Sequence, residues 1–224
     1  MAALAVAQGF DAADPYSRAP QAQTLPSAFR FGVLSRKDQV FDHDDGPALY
    51  AAAIARLVAL GGTPVEIDYA PFNAIALLLY QGPWVAERLA AIRDFAAHHA
   101  DAMDPTVRTI ILGAAKYSAV DAFEGQYRLQ ALKQQTNAAW AAMDVLLVPT
   151  TPGHPTVAQV AADPIGANAR NGLYTNFVNF LDCCAIAVPA GFKDDALPFG
   201  ATLIAPAFHD AALGNLAGQF ATET

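Results

Sequence analysis

Two side chains able to grip an anion stand at the ends of one short segment, Tyr80-Gln-Gly-Pro-Trp-Val-Ala-Glu-Arg88. Helical propensity carries the chain to Tyr80, Gly82-Pro83 breaks it, and a second helix restarts. A hydroxyl at the end of one helix and a guanidinium in the second turn of the next can converge on one point. Arginine offers a planar two-donor fork that fits a carboxylate, and tyrosine adds a third donor. On spacing alone a plainer arrangement is the commoner one, with Tyr80 packed in the core and Arg88 paired with Glu87 or water.

Groups that could attack a substrate are few. The serines are Ser17, Ser27, Ser35 and Ser118. None is flanked by glycine, so none sits in a tight turn that would present its hydroxyl beside backbone N–H donors. Their positions suit capping and surface turns. The lysines are Lys37, Lys116, Lys133 and Lys193. A lysine base must be desolvated. Lys193 lies beside Asp194 and Asp195, Lys37 lies in a polar run, and Lys116 and Lys133 lie in helices with no serine to serve. Cys183 and Cys184 precede an apolar strand next to Asp182, where burial and charge both favour the thiol, so they read as small core residues. His98-His99 would leave a helix roughly 100° apart and read as an exposed pair, not as metal ligands. No catalytic residue, metal site or cofactor is expected within this chain.

The chain has 224 residues, 54% of them hydrophobic and 15% charged, which is enough for a sizeable core and too apolar for disorder. The apolar runs are short and interrupted, so no membrane span is expected. Met1–Phe10 lacks a basic start and reads as part of a helix. A net charge of −8 argues against nucleic acid as a partner. Two neighbouring cysteines make no disulfide framework and suit a reducing, cytoplasmic setting.

The elements that would position Tyr80 and Arg88 follow from pattern. Residues 11–29, rich in Pro, Ser and Asp, read as a surface connection. Phe29–Ser35 reads as a strand. His43-Asp44-Asp45-Gly46-Pro47 reads as a helix start where an aspartate can cap and Pro47 can take the first helical position, Ala48–Leu60 as the helix, and Gly61-Gly62 as its end. Pro64–Asp68 reads as a second strand, parallel to the first. Phe72–Met143 reads as mostly helical with breaks at Pro83 and Pro105. Its last part, Ala119–Met143, is one long helix with Leu129, Leu132, Thr136 and Trp140 on one face. Val145–Val148 is a buried strand closed by Pro149, and Asn168–Leu181 reads as a helix. Ala185–Val188 and Phe199–Ile204 read as an antiparallel pair joined by a turn at Lys193–Ala196, and His209–Phe220 as a last helix. The polar groups of Asn171-Gly172-Leu173-Tyr174-Thr175-Asn176 suit a pocket mouth, capping or core packing equally well. The result is an α/β architecture, a mixed β-sheet covered by helices on both faces.

Three stretches resemble a known family. They are Asp-Val-Leu-Leu-Val-Pro-Thr-Thr-Pro at 144–152, Tyr-Thr-Asn-Phe-Val-Asn-Phe-Leu-Asp-Cys-Cys-Ala-Ile-Ala-Val-Pro-Ala-Gly-Phe at 174–192, and Pro-Phe-Gly-Ala-Thr-Leu-Ile-Ala-Pro at 198–206. They resemble the closing part of the domain of the amidase signature family, and within it the allophanate hydrolases. The likeness runs over roughly residues 1–221. It implies that 1–224 form a single, incomplete domain, the second half of an amidase-signature-type domain. It also implies hydrolysis of the amide of allophanate in urea breakdown. The family's Ser-Ser-Lys machinery sits on a Gly/Ser-rich loop that has no counterpart here, so the chain alone is expected to be inactive. In allophanate hydrolases a Tyr and an Arg at this spacing hold the substrate carboxylate. The resemblance therefore makes Tyr80 and Arg88 substrate-binding residues for a small anionic amide. The alternatives are an inactive fragment or subunit that needs a separate first half, and another amidase such as the amide-hydrolysing component of an amidotransferase. Against the latter, a neutral substrate would give no reason for an anion clamp. Half a domain exposes sheet edge, so self-association or a covering first half is expected.

Overall fold

The computed structural model describes residues 2–222. A short exposed helix, α1 (Ala2–Ala7), is followed by an irregular stretch up to β1 (Arg30–Leu34). Helix α2 (Gly46–Ala59) leads to β2 (Thr63–Ile67). A helical run follows: α3 (Ala70–Gln81), α4 (Trp84–Ala91), α5 (Arg93–His99), α6 (Pro105–Leu112) and α7 (Ala119–Trp140). The chain then forms β3 (Val145–Pro149), α8 (Val157–Ala162), α9 (Pro164–Asn171), β4 (Cys183–Phe192), β5 (Pro198–Pro206) and α10 (Asp210–Thr222).

The strands form one sheet in the order β2-β1-β3-β5-β4. β1 runs parallel to β2 and β3, whereas β5 is antiparallel to both of its neighbours. The mixed sheet follows from the connections. Helical crossovers return the chain parallel, and the Lys193–Ala196 turn returns it antiparallel. β3 is buried at every residue, as a continuous Val-Leu-Leu-Val run in the middle of a sheet must be. Gly61, with φ at +90°, ends α2 in the left-handed conformation that a side chain would resist.

Register separates the two faces. Gly32 lies against Met143, Leu146 and Ile67, on the face approached by the end of α7. There Tyr69, Phe72 and Phe177 pack ring against ring, and Phe72 meets Trp140 edge to face. The opposite face of β4 buries Val188 and Ala190 under α2 and α10. Arg56 ties these two helices together by lying over the Phe220 ring, 4.7 Å from its centroid. The α3 and α7 layer does not reach β4, where Ala185, Ala187 and Pro189 are exposed.

Three expectations need correction. Asn168–Leu181 is not one helix. α9 ends at Asn171, and 172–182 is a chain of turns closed by the Asn176 N–H to Gly172 and the Leu181 N–H to Phe177. Thr, Asn and Val are poor helix formers. Burying both Tyr174 and Phe177 completely under the sheet outweighs what helix propensity remains. Asp45 does not cap α2, because its carboxylate is engaged by His43 (2.5 Å) and by the Asp194 N–H (2.7 Å). Cys183 and Cys184 are only half-buried, on the outermost strand, and pack against the edge of the core instead of lying fully within it.

Candidate anion-binding site

Gly82 has extended backbone torsions and the chain turns at Pro83, so α3 and α4 meet at an angle at the predicted break. The turn folds α4 back over the end of α3. Arg88 lies over the Tyr80 ring, with the guanidinium carbon 5.2 Å from the ring centroid. Both side chains are half-buried. The two residues expected to act together are therefore brought together, in a cation–π stack that orients the guanidinium. Among the described residues no carboxylate pairs with Arg88, Glu87 included, and no acceptor takes the Tyr80 hydroxyl. Four other arginines differ. Arg18 is bonded to Asp182, Arg30 to Asp144, Arg108 to Asp101 and Arg170 to Asp42.

Three of the four serine hydroxyls serve local structure. Ser118 and Asp121 form a capping box at the start of α7, Ser35 donates to Asp38 at 2.6 Å, and Ser17 accepts the Asp11 N–H. Lys193 is buried and bonded to Asp195 at 2.9 Å. Burial pushes the Cys183 thiol up to about 12 and raises that of Cys184 as well, which leaves both protonated at neutral pH. His98 and His99 are exposed.

The sequence signals a second polar region only at Asn171, from the Asn171–Asn176 stretch that suits a pocket mouth. A crevice of about 600 Å³ lies where the loops after β1 and β3 meet α9 and the β4–β5 turn. It is lined by Asp42, His43, His154, Arg170, Asn171 and Lys193 among others. Arg170 holds the Asp42 carboxyl below its ordinary range. The cations here are already neutralised by aspartates, which distinguishes this crevice from the Arg88 site. No signal in local spacing could have found the Arg170–Asp42 pair, whose members lie 128 residues apart.

Comparison with known proteins places the chain in a family. The amidase family profile, described as Amidase, matches residues 2–213. The chain belongs to the amidase signature family. It is 46% identical over 211 residues to a urea amidolyase of Lachancea kluyveri, covering 92% of this chain and 12% of that one. It is also 47% identical over 176 residues to a urea amidolyase of Saccharomyces cerevisiae, covering 78% of this chain and 10% of that one. The solved allophanate hydrolase of Kluyveromyces lactis superposes with a TM-score of 0.90 at 40% identity, over 98% of this chain and 36% of that one. The chain thus spans about a tenth of the urea amidolyases and about a third of the allophanate hydrolase that it matches, and corresponds to part of the amidase domain.

Proposed function

We propose that this chain is the carboxylate-gripping part of an allophanate-hydrolase-type amidase domain, with Tyr80 and Arg88 orienting the substrate. The attacking group is supplied by residues outside the chain. The carrying observation is Arg88 itself. It is held over Tyr80 in a half-buried position, and no carboxylate among the described residues competes for its fork. Arginine and a tyrosine hydroxyl together offer three donors to a planar anion, which fixes both the position and the roll of a small ureido carboxylate. Fixing the far end of so small a substrate sets where its scissile carbonyl stands, and positioning of that kind contributes to the rate even though neither residue touches the breaking bond.

The resemblance to urea amidolyase and allophanate hydrolase supports this substrate class, and a clamp for an anion favours it over the neutral amide of an amidotransferase. The uncovered face of β4 supports association with a second copy or with a polypeptide that completes the domain. Cytoplasmic residence is part of the same reading. Among the described residues no helix is long and apolar enough to cross a membrane.

The proposal is tested by titrating the chain with malonamate, the carbon isostere of allophanate, and with biuret, which has a neutral amide in place of the carboxylate. Malonamate should bind and biuret should bind at least about tenfold more weakly. Equal affinities would refute the clamp. Hydrolysis of allophanate by the purified chain alone, through a covalent acyl intermediate, would refute the division of labour.

A further inference from the structure

The Tyr80–Arg88 pair depends on the angle between two short helices, and both of them are referenced to a third. α7 buries Gly125 against the break itself. A Cβ added at Gly125 would lie 2.6 Å from Cγ and 3.0 Å from Cδ of Pro83, and 3.3 Å from the Trp84 ring. Ordinary carbon contacts begin at about 3.5 Å, so a methyl group here would push the start of α4 away by roughly an ångström. The neighbour is a proline ring beside backbone, which has no rotamer to retreat into. The end of α3 is held from the same side. The Tyr117 hydroxyl donates to the carbonyl of Gln81 at 3.2 Å. Gln81 is the last residue of α3, where carbonyls have no partner within the helix. The capping box of Ser118 and Asp121 anchors the backbone from the residue after Tyr117 onward.

We propose that Gly125 and Tyr117 are positioning residues for the anion clamp. Gly125 sets how closely α4 approaches α7, and Tyr117 sets where α3 ends. Together they fix Arg88 over Tyr80. Trp84, packed edge to face on Phe180 at 4.8 Å, closes the other side of the first turn of α4 and stops it from rotating away. The clamp is thereby part of a rigid three-helix corner, and its two donors are spaced before any ligand arrives. The functional consequence rests on the reading of Tyr80 and Arg88 as a carboxylate clamp. The geometric claim stands without it.

The geometry is read directly from Arg88. Side-chain protons held over an aromatic face are shifted upfield by the ring current, so the Arg88 Cδ protons of the wild-type chain should be displaced, and Tyr80→Leu should abolish the displacement. Gly125→Ala should remove about half of it or more and weaken malonamate binding about tenfold, with helix content by circular dichroism unchanged. Tyr117→Phe deletes one hydroxyl and leaves the core intact. It should act in the same direction, and it carries the test should Gly125→Ala fail to fold. The inference is overturned if both variants keep the wild-type displacement and bind malonamate within about twofold of wild type. Should the displacement fall while malonamate binding ignores these variants and Arg88→Leu alike, the brace stands and the clamp reading fails.

Discussion

Arg88 is stacked on Tyr80 with its guanidinium carbon 5.2 Å from the ring centroid, and no carboxylate among the described residues claims it. Arg18, Arg30, Arg108 and Arg170 are by contrast committed to aspartates, and Arg56, which stacks on Phe220, is taken up by the carbonyls of Pro189 and Phe220. A half-buried guanidinium without a carboxylate is poorly compensated, and an anionic ligand would compensate it.

The scaffold behind this corner is held by a second tyrosine. The buried Tyr50 hydroxyl accepts the Leu34 N–H at 3.0 Å and donates to the Leu147 carbonyl at 2.8 Å, joining α2 to β1 and β3. Tyr50→Phe leaves both backbone groups without this partner. Unfolding in urea should show a loss of about 1–3 kcal/mol, with the m-value unchanged.

Acid should weaken the fold through Asp42. The hydrogen bonds from Arg170 hold its carboxyl below the ordinary aspartate range in the folded chain. The unfolded chain therefore binds the proton first as pH falls, so this contribution is fully present above the unfolded value of about 3.9 and is lost progressively below it. Stability measured from neutral pH down to acid should fall in that lower window, and Asp42→Asn should flatten the slope there. An unchanged slope would show that the pair does not differ between the two states.

The outer strand predicts association. β4 is ten residues long, carries no charged side chain and exposes Ala185, Ala187 and Pro189 on the face that α3 and α7 leave open. Such an edge is a template for another strand. Sedimentation should show concentration-dependent association of the isolated chain, and Ala187→Lys should shift it toward monomer. A wild-type monomer across the whole concentration range would contradict this.

Sequence patterns predicted most of the fold where one period dominates. The unbroken Val-Leu-Leu-Val run is the fully buried β3, Gly61 ends α2, and Pro83 and Pro105 mark helix starts. Patterns failed where distant contacts decide. Segment 172–182 gives up its helix because Tyr174 is buried under the sheet with its hydroxyl on the Val40 N–H at 2.6 Å. The aspartate at the start of α2 is drawn to a hairpin turn 149 residues away and does not cap. In the candidate site, the spacing of Tyr80 and Arg88 could be read from the chain. The Gly125 and Tyr117 contacts that hold the two together could not, because a glycine within a helix gives no local sign of what it lies against.

The most direct test is the affinity of the chain for malonamate before and after Arg88→Leu. Charge-assisted hydrogen bonds contribute about 1.5–3 kcal/mol each. The substitution should therefore weaken malonamate roughly tenfold to a hundredfold and leave biuret unchanged. Malonamate binding that survives Arg88→Leu at wild-type strength would contradict the assignment of this corner as the carboxylate clamp.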